Sequence, residues 1–191
     1  FLIVDGHSLA YRAFHATDPQ AFRTSTGQYT KWQVWNPAKF FKSSAGVLYY
    51  GGLPWQNYSN GSDKPTNGTA TFGPVSYDQA GKHFLKASLY LAVEGLVDYD
   101  TFKITATAQG KPAQVLWQKA QPFLTGGVMQ GNQNLPYVNL PNGWFDINVE
   151  IPQSLGNSNI SIQFAFDTVD GQNNGGLGVL VDDVQVVTVC N

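Results

Sequence analysis

The residues of this chain best suited to chemistry are carboxylates and aromatic rings. Asp98 and Asp100 flank Tyr99, and Asp182 and Asp183 sit side by side in an apolar run near the C-terminus. Neighbouring side chains of a strand point to opposite faces. One of Asp182 and Asp183 is therefore expected to face inward or along a sheet edge, where a lone carboxylate is costly. Carboxylates, carbonyls and water are the hard oxygen ligands that Ca²⁺ takes. Asp98, Asp100, Asp182 and Asp183 are thus candidate metal ligands, with Asp167 and Asp170 ranked behind them. The competing reading has these carboxylates capping turns or accepting bonds from backbone amides.

Catalytic constellations are harder to assemble. A glycosidase needs two carboxyl groups about 5–10 Å apart, and nothing marks Glu94 or Glu150, the only glutamates, as half of such a pair. His7, His15 and His83 are scattered, without a GxSxG motif or a cysteine partner for a nucleophilic triad. One cysteine and three histidines give no zinc spacing either. His83 reads as a turn residue, not a base. The chain is expected to bind rather than to catalyse.

Aromatic rings supply the binding chemistry. Exposed rings stack on sugar faces while Asn and Gln read hydroxyls. Trp55 and Tyr58, in the turn-rich segment LPWQNYSNG (53–61), and Tyr137, in the Gly-, Asn- and Pro-rich stretch 121–142, are the candidate ligand-binding residues, because loops are usually exposed. For Trp55 a loop anchor packed on the body of the protein is an equal alternative. Trp117 and Trp144 fall within strand-like text and are expected in the core. Asn57, Asn60, Asn67 and Asn159 head N-x-S/T triplets, which matter only on a eukaryotic secretory route.

The elements that must position these residues are strands. Eight or so runs with period-2 alternation follow residue 31, among them FLKASLYLAVE (84–94), ISIQFAFDT (160–168) and GVLVDDVQVVTV (178–189), separated by Gly, Asn, Pro and Asp turns. Leu85, Ala87, Leu89, Leu91 and Val93 share one face, and Phe102, Ile104 and Ala106 another. No helices alternate with the strands, so the fold class is all-β: a two-sheet antiparallel β-sandwich of the jelly-roll kind. Residues 1–30 differ, reading as a short strand, a turn and a helix followed by polar loop. The expected boundary falls at about residue 31.

Composition narrows the partners. Charged residues make up 13% of the 191 and aromatics 14%, against about 25% charged in an ordinary globular chain. Abundant amide and hydroxyl side chains with little charge suit a secreted or cell-surface β-protein. A net charge of -2 offers nothing to neutralise nucleic-acid phosphates, and no apolar run is long enough to span a membrane. Cys190 has no partner within the chain, so the core must hold the fold.

From about residue 32 to 189 the text resembles the MAM-like jelly-roll modules of secreted bacterial peptidases of the immune inhibitor A type. The resemblance is carried by SSAGVLYYGG (43–52), NGTATFGPVSYDQAG (67–81), LKASLYLAVEGLVDYDTFKITAT (85–107), WFDINVEIP (144–152) and GLGVLVDDVQV (178–186). Vertebrate members carry paired cysteines that this chain lacks. The resemblance implies a carbohydrate- or protein-binding accessory module with a structural Ca²⁺ near its first and last strands. A structural or adhesive domain without a small ligand is the alternative. FLIVDGHSLAYRAFHA (1–16) and FRTSTGQYT (22–30) resemble instead the opening of the 5′-nuclease domain of family A DNA polymerases, in which Asp5 would bind a catalytic metal. That chemistry needs several carboxylates around the ions, and no counterpart of the rest of that domain follows. Residues 1–30 are therefore expected to be a fusion or artefact rather than a working nuclease fragment.

Overall fold

The computed structural model describes residues 32–35, 47–52, 57–59, 64–77, 81–94, 98–119, 144–156 and 158–189. They form nine strands: β1 (Trp32–Trp35), β2 (Val47–Tyr50), β3 (Asn67–Val75), β4 (Lys82–Ala92), β5 (Thr101–Ala108), β6 (Gln114–Gln118), β7 (Trp144–Ile151), β8 (Ile160–Asp167) and β9 (Gly178–Val189). A single 3₁₀ turn spans Gln153–Leu155, and no α-helix occurs among the described residues. The strands make two antiparallel sheets, one ordered β1-β2-β9-β4-β7 and the other β3-β8-β5-β6. The expected two-sheet sandwich is the observed fold. The strand and helix expected within residues 1–30 lie outside the described residues.

Alternation decides what the two sheets bury against each other. In β8 the residues Ile160, Ile162, Phe164 and Phe166 are inaccessible while Ser161, Gln163, Ala165 and Asp167 face out. In β4 the inward set is Leu85, Ala87, Leu89 and Leu91, as the period required. Removing each such side chain from water contributes about 1.5–3 kcal/mol, so one register is strongly preferred. Rings fill the interior at one end. Trp32 meets Tyr50 at 5.3 Å between centroids, and Tyr50 meets Phe166 at 4.8 Å. The Trp32 indole N–H crosses to the other sheet and donates to the Gly68 carbonyl at 3.1 Å, which satisfies a polar atom that burial would otherwise strand.

Two irregularities shape the face described below. Gly178, which opens β9, has φ of 108°, and a Cβ placed on it would lie 2.2 Å from the Tyr50 carbonyl oxygen. Only glycine lets β2 and β9 approach so closely. Further along, Asp182 stands opposite Ser88 of β4 but Gln185 stands opposite Lys86, so Asp183 and Val184 together face one residue, Ala87. This is a β-bulge, with Asp183 at φ of 51°. One of Asp182 and Asp183 was expected to face inward or along a sheet edge; the bulge resets the alternation, and Val184 takes the inward place.

Candidate functional site

The five-stranded sheet has a second face, turned away from the core, and it is apolar at one end. The pairings Tyr49 with Leu180, Leu180 with Tyr90 and Tyr90 with Trp144 set these four residues in one row across β2, β9, β4 and β7. Trp35 of β1 stacks on Tyr49 at 4.6 Å, and Trp144 meets Tyr90 edge to face at 5.8 Å. Val47, Tyr49 and Leu180 are buried, while Trp35, Tyr90 and Trp144 cover them and stay part-exposed. The Tyr49 hydroxyl donates to the Leu177 carbonyl at 2.8 Å. Burial pushes the Tyr49 and Tyr90 phenols above their ordinary range, so both remain neutral near pH 7.

Beside the rings the same face turns polar, because outward positions of β4, β7 and β9 continue in register. Ser88 sits between Asp182 and Asp146, and its hydroxyl donates to Asp146 Oδ1 at 2.6 Å. One step further Lys86 lies between Gln185 and Asn148. Asp146, Lys86 and Asn148 are exposed. Lys82 and Glu150 form a solvent-facing ion pair at 3.5 Å at the far end, worth at most about 1 kcal/mol. Aromatic, hydroxyl, carboxylate and amide groups therefore follow one another along a single sheet face.

A second polar assembly lies inside the sandwich, where chain connections meet. Asp100, fully buried just before β5, accepts through Oδ2 from the Tyr58 hydroxyl and from the Glu94 backbone N–H, the latter at 2.7 Å. Asn173, in the loop between β8 and β9, donates its amide to Glu94 Oε1 at 3.4 Å and places its carbonyl oxygen 3.2 Å from the Tyr58 hydroxyl. Lys119, just past β6, donates to the carbonyls of Glu94 at 2.5 Å and Tyr99 at 2.6 Å. Burial pushes the Asp100 carboxyl up to about 6, against the opposing pull of its two hydrogen bonds and of Lys119. Burial also raises Glu94, and it lowers Lys119 to about 8.

The expected site residues are scattered. Tyr58 is a correction: expected as an exposed ring for a ligand, it is fully buried against Phe166 at 5.5 Å, and its hydroxyl serves Asp100. Trp144 is another, because its outward position in β7 places it part-exposed on the sheet face rather than in the core. His83 lies inside β4, not in a turn, with its ring against Tyr77 and Nδ1 2.9 Å from the Thr188 hydroxyl. Trp55, Tyr137 and Cys190 lie outside the described residues. Of the four candidate metal ligands, Asp98 is exposed, Asp100 joins the buried assembly, and Asp182 accepts the Asp183 N–H at 2.8 Å on the far sheet. Among the described residues no three of His, Cys, Asp and Glu come together.

Trp35 and Tyr90 on the face, and Glu94, Lys119 and Asn174 in the interior, were not singled out as site residues from sequence. A signal existed for the face. VLYY (47–50) and GVLV (178–181) are apolar without alternation, the mark of strands covered on both sides. The interior assembly has no such signal, since its members come from four connections far apart in the chain.

No protein-family model matches the chain, and no curated protein sequence matches it. Solved structures with a similar strand arrangement include the K1 cleaved adhesin domain of Lys-gingipain from Porphyromonas gingivalis W83, at 12% identity and a TM-score of 0.48, over 94% of this chain and 96% of that one. A second is CBM27-1 of Caldicellulosiruptor saccharolyticus in complex with mannohexaose, at 13% identity and 0.46, over 81% and 80%. A third is a CBM28 carbohydrate-binding module specific for non-crystalline cellulose, at 8% identity and 0.43, over 91% and 86%. At such identities and scores the likenesses say nothing about what this chain binds.

Proposed function

We propose that this chain is a non-catalytic module that holds a glycan across the outer face of its five-stranded sheet, in a secreted or cell-surface setting. The observation that carries the reading is the row of part-exposed Trp35, Tyr90 and Trp144 over buried Tyr49 and Leu180, with Asp146, Lys86, Asn148 and Gln185 beside it. A sugar ring presents a face of C–H groups and an edge of hydroxyls. The indoles and phenol accept the first by apolar contact, and carboxylate, amide and ammonium groups complement the second. Strands about 4.8 Å apart make five of them span about 19 Å from first to last, room for several sugar units. Because each ring rests on a buried layer, little side-chain freedom is lost on binding.

The setting is supported by the scarcity of charge and the wealth of amide and hydroxyl side chains. Among the described residues no helix is long and apolar enough to cross a membrane. Affinity electrophoresis through soluble polysaccharides, followed by calorimetry with an oligosaccharide of the best of them, tests the reading. Retardation by at least one polysaccharide is expected, and Trp144→Ala should abolish it. A folded chain that no polysaccharide retards, or retardation that survives both Trp35→Ala and Trp144→Ala, would overturn it.

A further inference from the structure

Among the described residues, three buried side-chain oxygens in and beside the interior assembly have no hydrogen-bond partner: Glu94 Oε2, Asp100 Oδ1 and Asn174 Oδ1. Their residues are 5%, 0% and 4% exposed. Buried oxygens of this kind are normally satisfied, and each exception asks for an explanation. Hydrogen bonds and chain succession link the three residues. Asp100 Oδ2 is tied to the Glu94 backbone N–H, Glu94 Oε1 to Asn173, and Asn174 follows Asn173 directly, its amide donating to the Asp170 carbonyl at 3.1 Å. All the remaining oxygens of the two carboxylates are already held by donors, so the orphaned ones are fixed in position rather than free to turn to solvent.

Charge points the same way. With both carboxylates ionised, Lys119 supplies one positive charge against two negative ones, and its ammonium is committed to the carbonyls of Glu94 and Tyr99. A buried site that is short of one positive charge and offers only oxygen atoms lacks a hard cation. A proton on one carboxyl is the rival, and burial does raise both carboxyl groups toward accepting one. A proton, however, gives a donor to one orphaned oxygen and leaves Asn174 Oδ1 unmet.

We propose that Glu94, Asp100 and Asn174 ligate a divalent cation of the calcium type, completed by water, with Tyr58 and Asn173 orienting the two carboxylates. The donor set differs from the four aspartates expected from sequence, sharing only Asp100. It also stands apart from the glycan face and does not depend on that reading. Ca²⁺ accepts six to eight oxygens at variable angles, which suits donors drawn from loops better than the strict octahedron of Mg²⁺ would. The cation would bridge the β4–β5 connection to the β8–β9 loop.

The test uses the whole chain stripped with EDTA and dialysed. Titration with CaCl₂ in a calorimeter, Tb³⁺ emission sensitised through the adjacent tyrosine, and melting with and without EDTA read binding independently of any glycan. One tight equivalent is expected, with Tb³⁺ displaced by Ca²⁺. Melting should rise by roughly 5–10 °C at a hundredfold excess of Ca²⁺ over Kd. Glu94→Gln should weaken binding by about tenfold or more, and Asn174→Asp, which adds a charge to the donor set, should tighten it by a similar factor. Asp182→Asn should leave it unchanged. The proposal fails if the folded chain takes up no Ca²⁺ and melts alike in EDTA and Ca²⁺. It fails equally if Glu94→Gln and Asn174→Asp both bind as the parent does, or if Asp182→Asn alone removes binding.

Discussion

The two outer faces of this sandwich are built by the same alternation and end as opposites. On the four-stranded sheet the outward residues of β3, β8 and β5 are Asn67, Thr69 and Thr71, Gln163 and Asp167, Thr101, Lys103 and Thr105, with Ala165 near the centre. Asn67, Thr69, Thr101, Lys103, Ala165 and Asp167 line a shallow depression of about 310 Å³ together with Gly68 and Phe166, and water suits so polar a lining. On the five-stranded sheet the corresponding places hold Trp35, Tyr49, Leu180, Tyr90 and Trp144. A polar face needs no partner, whereas a part-exposed aromatic layer over buried leucine and tyrosine is held ready for one. Period therefore tells which residues are outside; only their chemistry tells whether the outside is finished.

That contrast can be broken most directly at one outward position of each face. Leu180→Asn should destabilise the chain by about 3 kcal/mol or more, through a lost apolar side chain and an unpaired amide, while Gln163→Leu should stay within about 0.5 kcal/mol. Urea denaturation of both variants decides it, and equal losses would mean that the two faces do not differ in kind. Tyr58→Phe comes next: it removes the hydroxyl that donates to buried Asp100, and a loss of about 2 kcal/mol is expected with no change in retardation by polysaccharide. Trp144→Ala should do the reverse, costing about 1 kcal/mol or less of stability because the ring is part-exposed, yet at least about tenfold in glycan affinity. Lys103→Ala on the other sheet should cost neither.

A different readout of the interior assembly is the pH dependence of stability in chelator. Asp100 titrates near 6 when folded and near 3.8 when unfolded, so between these values the folded state holds more protons and stability falls as pH rises. Lys119, lowered from 10.5 to about 8, holds fewer protons when folded, so stability climbs from pH 8 toward 10.5. Melting in EDTA should carry a shallow minimum between pH 6 and 8. Asp100→Asn should flatten its acidic arm, by up to about 3 kcal/mol. A melting curve whose acidic arm is the same in both proteins would place the titration elsewhere.

Much of this arrangement was legible. The inward sets of β4, β5 and β8 follow from period alone, since those strands meet water on one side. The bulge at Asp183 was not legible, because one extra residue leaves no trace in a run already apolar on both sides. Tyr58 was misplaced by the rule that turn-rich text is exposed, which ignores a ring tall enough to reach the core from a loop. Nothing in the sequence marks Glu94 or Lys119 as interior. Only the convergence of four connections makes them interior, and no spacing rule anticipates it.

The reach of those connections also sets a timescale. Apart from the short Glu94–Asp100 link, the bonds of the interior assembly join residues 20 to 115 positions apart, and closing such separations is among the costlier steps for a folding chain. They should therefore form after the sheets have paired, on the native side of the folding barrier. Interactions made there slow unfolding and leave the folding rate nearly untouched. Tyr58, Asp100 and Glu94 then govern how long the folded module survives rather than how quickly it appears.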